Sequence, residues 1–255
     1  TEDLDLSIRA QLKGWEIMYL EKVGSPAELP AEMNSLKSQQ FRWMKGGAET
    51  AKKMLPTVWK SNLNFAQKIH ATGHLLASSI FIFVFIAGVF SVPLLFFLGE
   101  LGIDIQFFAY FLVGLLSVMA VYYVANVNAE ISQQSYLKLV GKFVLLFPVF
   151  LALSMGLSLH NTVAVLQGYR GKKSPFVRTP KFNIQGITDN FKKGKYLSDK
   201  ISWTTIFEGL LSLYFLGGVL GGIYLNDSTF LAFHSLLSIG YGSIFYYTIR
   251  HLQYK

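Results

Sequence analysis

Two stretches of this chain, Leu75 to Gly99 and Ile105 to Ala129, run about 25 residues each without a charged side chain. At about 1.5 Å of rise per residue, a helix of that length crosses the ~30 Å hydrocarbon layer of a bilayer. The whole chain agrees with that reading. It is 52% hydrophobic and 15% charged, where soluble domains carry roughly 25% charge. It has no cysteine, which excludes a disulfide frame and any cysteine metal site. Its net charge of +8 suits cytoplasmic loops and lipid headgroups, not nucleic acid.

Further apolar runs follow. Phe143 to Tyr169 is uncharged but holds Pro148 and turns polar at His160-Asn161-Thr162. Gly209 to Asn226 and Ser228 to Ile249 form a last pair joined around Asp227. Lysine and arginine placement sets orientation. The 34–70 stretch is basic, and so is the 170–200 loop, with Arg170, Lys172, Lys173, Arg178, Lys181, Lys192, Lys193, Lys195 and Lys200. Both are expected on the cytoplasmic side. The segment between the second span and that loop must then start and end on one side. The pattern predicts a mainly α membrane protein with about four transmembrane helices (75–98, 105–127, 205–225, 229–249). Residues 143–166 are expected to form an interfacial or re-entrant helix. Five spans are the alternative.

Ahead of the spans the chain is of another kind. Thr1-Glu2-Asp3 opens a short helix with acids in its first turn and an apolar face of Leu4, Ile8 and Leu12, ended by Gly14. Trp15 to Val23 reads as a strand, and Gly24-Ser25-Pro26 with Pro30 as a loop. Residues 1–33 are thus α/β sequence too short to be a domain, and the chain is expected to be the C-terminal part of something longer. Asn34 to Lys60 reads as a helix, kinked or split at Pro56. Its apolar repeat (Met44, Ala48, Ala51, Leu55, Val58) faces Lys37, Arg42, Lys45, Lys52, Lys53 and Lys60 with the single acid Glu49. Such a helix is expected in the membrane interface.

Three clusters carry side chains suited to chemistry. Gln39-Gln40-Phe41-Arg42-Trp43 puts an amide, a guanidinium and an indole within five residues. Arginine grips phosphate oxygens bidentately, and an indole face packs on a sugar ring. The bland alternative is an interfacial helix with an ordinary arginine and a belt tryptophan. Asp3, beside Glu2, is either a helix-start acid or a general base. Phe176-Val177-Arg178-Thr179-Pro180-Lys181 is a basic loop with an aromatic and a hydroxyl. Alone, it equally suits contact with anionic lipid. His70 and His74 lie one turn apart, but without an evident third ligand they read as interface residues. Glu208 reads as an interface residue at the mouth of an apolar segment, with a buried functional acid as the alternative. Gly217-Gly218 and Gly221-Gly222 are expected to let helices pack closely.

Taken together, these clusters resemble the membrane-integrated family-2 glycosyltransferases, the cellulose-synthase-like enzymes. The resemblance lies in their order: Thr1-Glu2-Asp3, then Gln39-x-x-Arg42-Trp43, then amphipathic helices and spans, then Phe176-x-x-Thr179-x-Lys181. Ser158-Leu159-His160-Asn161-Thr162 before the basic loop looks most like the cellulose-synthase-like A, or mannan synthase, branch. Arg178 stands where the family's loop usually has valine.

The resemblance implies an inverting hexosyltransferase that uses a UDP- or GDP-hexose to extend a β-linked polysaccharide and couples this to translocation. Asp3 would be the general base, with Glu2 beside it. Trp43 would stack on the acceptor, Gln39 and Arg42 would hold donor diphosphate and acceptor, and Phe176, Thr179 and Lys181 would sit on a gating loop within 168–200. It implies a division into 1–33 (remnant of a GT-A glycosyltransferase domain), 34–74 (interfacial helices) and 75–255 (transmembrane region). Mg²⁺ or Mn²⁺ would be held upstream, with no metal site in this chain, and the fragment alone would be inactive. The motifs and the C-terminus would lie on the cytoplasmic side of a plasma or inner membrane. Two alternatives stay open: transfer of one sugar to a lipid acceptor, as ceramide glucosyltransferases do, and a membrane transporter or channel. The last expects polar spans, whereas these are nearly bare apart from Asn126 and Asn128.

Overall fold

The computed structural model describes residues 2–20, 23–25, 27–97, 100–102, 106–128, 135–175 and 201–252. Among them the chain is helical, with no strand. It divides into two compact units. The first holds residues 1–85, 157–205 and 246–255, and the second holds 86–156 and 206–245.

In the first unit, α1 (Glu2–Leu12) has Glu2, Asp3 and Asp5 in its opening turn, where the helix dipole favours negative charge. It ends as expected at Gly14. This residue takes the left-handed φ of +84° that a side chain would resist, while Trp15 N–H closes back on the Ala10 carbonyl at 3.1 Å. The strand expected from Trp15 is not there: residues 15–20 and 23 lack regular structure. Trp15, Met18 and Tyr19 are 70%, 82% and 87% exposed. A strand needs a ladder partner, and none of the described residues supplies one.

The long helix α2 (Met33–Lys60) passes through Pro56 without splitting. It starts at the buried Glu32, whose carboxylate accepts from Asn34 N–H at 2.8 Å and Ser35 N–H at 2.6 Å. Both are donors that a helix start leaves unpaired. The helix packs Ala51, Met54 and Val58 on Ile8 of α1 and on Leu75 of α3 (Phe65–Leu76). Asn64 and Gln67 cap α3 reciprocally. The largest partner of α2 is α7 (Ser158–Tyr169).

Four of the six basic residues expected to meet lipid are engaged inside this unit. Lys37 and Lys45 are buried. Lys52 Nζ donates to the Tyr169 carbonyl at 2.8 Å, at the C-terminal end of α7, where the dipole favours a cation. Lys53 pairs with Asp5 of α1 at 3.2 Å.

The second unit takes most of α4 (Ile80–Phe97), α8 (Trp203–Tyr224) and α9 (Leu231–Leu252). It also holds α5 (Gln106–Tyr123), a π-helical turn (Val124–Asn128) and α6 (Tyr136–Gly156). Glycines let these helices touch. A Cβ on Gly240 of α9 would overlap the Ala152 carbonyl of α6, and one on Gly156 would overlap Gly240. Two of the four glycines singled out on α8 act this way: a Cβ on Gly218 would stand 2.7 Å from His234 Nδ1 and one on Gly221 2.8 Å from Phe96, while Gly222 lies against the Asp227 carbonyl of the turn that follows.

Three helices among the described residues are long and apolar enough to cross a membrane: Phe65–Phe97, Tyr136–Gly156 and Trp203–Tyr224. The first and third match the expected spans 75–98 and 205–225. The second corrects the bounds expected for the 143–166 helix. The segment breaks at Leu157 into α6, which reaches spanning length by starting at Tyr136, and the separate α7. Pro148 sits inside α6 without ending it. The 105–127 stretch gives α5 and the π-helical turn that continues it, and its apolar helical segment Leu116–Asn126 is shorter than a span. The helix α9, expected to span, is long enough, but His234, Ser235, Ser238, Ser243 and Thr248 make it less apolar. Glu208 is fully buried on α8.

Candidate active site

On a helix of 3.6 residues per turn, Gln39, Arg42 and Trp43 fall at i, i+3 and i+4 and share one face. The structure places all three on α2, as the spacing requires. Trp43 is 48% exposed, so its indole face is open to a ligand. Gln39 and Arg42 are half-buried beside it.

The opposite face of α2 is locked against α7. Gly168 lies so close that a Cβ would sit 2.5 Å from the Lys45 carbonyl and 2.8 Å from Ala48 Cβ. Two lysines are buried here with polar partners, which buried charge requires. Lys37 Nζ donates to Thr205 Oγ1 at 3.3 Å. Lys45 Nζ donates to Ser174 Oγ at 2.7 Å and lies 3.8 Å from Glu49. Between the helices His160 donates from Nε2 to the Lys37 carbonyl at 2.9 Å. Its ring meets Phe41 edge-on, centroids 5.4 Å apart. Burial, helped by the Lys37 ammonium, lowers the His160 pKa to about 4, so the imidazole is neutral at physiological pH. Sequence reasoning noted the polar run at 160–162 but not that it grips the pentad's helix. It also missed the Glu32 cap, because glutamate is not among the favoured N-cap residues, and the Lys45–Ser174 bond, which joins residues far apart in sequence.

Asp3 and Glu2 are exposed on α1. Asp5 meets Lys53, and Leu12 shares a cleft with Pro56, Thr57 and Lys60, so α1 runs in the same sense as α2. The acidic end of α1 therefore points toward the Gln39–Trp43 end of α2. From Trp43 to the level of Lys53 the axis advances about 15 Å, so α1 holds Asp3 alongside the middle of α2, not against the pentad. The Arg9 hydrogen bond, with Lys53 adding to it, holds the Asp5 carboxyl below its usual range.

A cleft of about 1140 Å³ opens between α1 and α3, lined in part by Gln11, Trp15, Gln67, His70 and His74. The two histidine rings pack edge-to-face at 4.6 Å. Among the described residues no group of three or more His, Asp or Glu gathers that could hold a metal. Phe176, Thr179 and Lys181, the expected loop residues, lie outside the described residues.

This geometry meets the comparisons with known proteins at one stretch. Residues 1–127, which hold Asp3 and the whole pentad, match the model for glycosyl transferase family group 2. The chain is similar to probable glucomannan 4-beta-mannosyltransferase 2 of Oryza sativa subsp. japonica, 37% identical over 81 residues, which is 32% of this chain and 13% of that protein. It is 41% identical over 70 residues to glucomannan 4-beta-mannosyltransferase 1 of the same species, 27% of this chain and 13% of that protein. With glucomannan 4-beta-mannosyltransferase 7 of Arabidopsis thaliana it shares 40% identity over 60 residues, 24% of this chain and 11% of that protein. The matched stretches thus span about an eighth of these relatives' lengths. No solved structure matches the chain. With an aromatic–cationic face held on α2 and an acidic helix start beside it, the chain belongs to glycosyl transferase family group 2, on its cellulose-synthase-like side.

Proposed function

We propose that this chain forms the acceptor-side wall of a membrane hexosyltransferase that extends a β-linked polysaccharide from a nucleotide sugar, with inversion, and passes the product across the bilayer. One observation carries the reading: Gln39, Arg42 and the open indole of Trp43 share a face of α2, whose other face is fixed to α7. Trp43 stacks on the acceptor sugar. Arg42 and Gln39 hold the donor diphosphate and the acceptor end, and the guanidinium offsets charge on the leaving group. Asp3 removes the acceptor hydroxyl proton as that oxygen attacks the anomeric carbon. The open position of Asp3 on α1 leaves room for an incoming chain. Residues 1–33 belong to the end of a GT-A domain, 34–74 to the interface and 75–255 to the transmembrane region. Phe176, Thr179 and Lys181 lie on a loop that closes over the nucleotide. UDP- or GDP-hexose is the donor class. The donor-holding half and a Mg²⁺ or Mn²⁺ ion belong to sequence outside this chain, so the chain alone is inactive. The names of the relatives make a mannosyl donor the first to try.

The Met33 N–H bonds His251 Nδ1 at 2.9 Å, joining the start of α2 to the end of α9. This supports placing motif and C-terminal tail on one side, which the lysine and arginine distribution makes the cytoplasmic side of a plasma or inner membrane.

The test uses the full-length protein carrying this chain, purified in lipid nanodiscs, with a panel of UDP- and GDP-hexoses, Mg²⁺ or Mn²⁺, and product sizing. A ladder of oligomers supports the polysaccharide reading. A single glycolipid supports transfer to a lipid acceptor, and no transfer from any donor supports a transporter or channel.

A further inference from the structure

We infer that His160 is a positioning residue for the glycosyl-transfer site: it sets the place of the Gln39–Trp43 turn by clamping the back of α2. The inference rests on the function proposed above and assigns a role to a residue that reading does not use.

The argument starts at the Lys37 carbonyl. In a continuous helix this oxygen accepts the N–H of Phe41, four residues on. It has a second lone pair, and His160 Nε2 uses it at 2.9 Å. The same imidazole lies edge-on to the Phe41 ring. One side chain of α7 thus holds both the acceptor peptide and the ring of the residue that closes this turn, and Phe41 is the middle of the pentad. At about 100° per residue, Lys37, Phe41 and Lys45 lie on the α7 side of α2. Gln39 and Trp43 then fall about 160–200° around from Phe41, so they point to the far side. A shift of this turn toward or away from α7 therefore moves the sugar-stacking indole and the amide directly, although His160 touches neither.

The group is not explained by packing alone. With Nε2 donating, neutral imidazole has an acceptor left at Nδ1, and that nitrogen is covered and has no hydrogen-bond partner among the described residues. The next residue, Asn161, is fully buried, and neither of its amide atoms has a hydrogen-bond partner among the described residues. Buried polar atoms without partners cost stability, where an aliphatic side chain would fill the space freely. What the histidine supplies and leucine does not is a directed N–H on the Lys37 carbonyl.

The test compares His160→Leu and His160→Gln in the full-length protein, each alone and with Trp43→Ala. Glutamine keeps an N–H donor and leucine does not. His160→Leu is expected to lower kcat/KM for sugar transfer about 30-fold, and His160→Gln to stay within about 3-fold of wild type. In the Trp43→Ala background His160→Leu is expected to cost 3-fold or less, because the group it positions is gone. Equal losses in both backgrounds, or glutamine as damaging as leucine, overturn the inference. A second readout is independent of transfer. With every other tryptophan of the full-length protein changed to Phe, Trp15, Trp59 and Trp203 among them, His160→Leu should shift the Trp43 emission maximum and its acrylamide quenching, and His160→Gln should not. An unmoved Trp43 signal overturns the positioning role. If the wild-type protein transfers no sugar, the proposed function falls, while the fluorescence still decides whether His160 places Trp43. If His160→Leu does not fold, His160→Met, which also lacks the N–H donor, replaces it, with the same two readouts and the same deciding outcomes.

Discussion

The two units of this protein are held together by different means. In the first, α2 is fixed to its neighbours by directed polar bonds. His160 meets the Lys37 carbonyl, Lys52 the Tyr169 carbonyl, Lys45 the Ser174 hydroxyl and Lys53 the Asp5 carboxylate. In the second, helices meet through missing side chains. Gly156 faces Gly240, Gly218 seats His234, and Gly209 seats Phe245. Its polar contacts are short hydroxyl bridges, such as Ser91 Oγ to His234 Nε2 at 2.8 Å and the reciprocal bonds of Ser212 and Ser238 to each other's carbonyls. Close backbone approach is how helices associate where lipid is as apolar as leucine. Directed bonds do something packing cannot: they fix the height and rotation of a helix face. The unit that carries Gln39, Arg42 and Trp43 uses them.

The contrast predicts where each unit breaks. The largest effect is expected in the glycine-packed unit. Gly240→Ala puts a methyl into the Ala152 carbonyl, where backbone must move. It should cost about 3 kcal/mol or more, seen as a drop in the thermal midpoint of the full-length protein. An unchanged midpoint would mean that α6 and α9 do not pack as described.

The next belongs to the polar unit. The His160 pKa is lowered to about 4 by burial, from about 6.5 in the unfolded chain. Between those values the unfolded chain binds the proton and the folded chain does not. Stability is therefore full above about pH 6.5 and falls as pH drops toward 4. After allowance for partial exposure the loss is on the order of 2 kcal/mol. Denaturant midpoints at pH 7 and pH 4.5 measure it, and His160→Gln should remove that part of the pH slope.

A smaller effect is expected for Ser91→Ala. It removes the partner of His234 Nε2 inside the glycine-packed unit, and should cost about 1 kcal/mol. A loss as large as that of Gly240→Ala would show that this unit, too, depends on directed bonds.

Smallest of all is Lys53→Ala. It breaks the pair with Asp5, whose lysine side is open to solvent, and should leave the midpoint unchanged within error, since solvent-screened pairs contribute little.

Much of this organisation was legible in the sequence. Uncharged runs marked the spans at 75–98 and 205–225, and the repeat from Met44 to Val58 marked α2. Gly14 marked the end of α1, and i, i+3, i+4 spacing placed Gln39, Arg42 and Trp43 on one face. The rest was decided by contacts distant in sequence. Lys37 and Lys45 read as lipid-facing because a helical wheel cannot show α7 packed on them. Glu208 read as interfacial because its burial depends on neighbouring helices. Trp15 to Val23 has strand composition, but composition supplies no partner strand. The segment 143–166 was read through Pro148 and its polar end, whereas the break falls at Leu157 and α6 extends back to Tyr136, past Lys138 and Lys142. Those two charges hid its true start.

The central claim is that the acidic start of α1 and the face of α2 belong to one transfer site. It is tested most directly by sugar incorporation with Asp3→Asn in the full-length protein. The change keeps size and helix position and removes the proton acceptor. The account predicts that folded protein and nucleotide-sugar binding are retained while polymer formation falls by a factor of 10² or more, the order expected for loss of a general base. Near-normal turnover in that variant would contradict it.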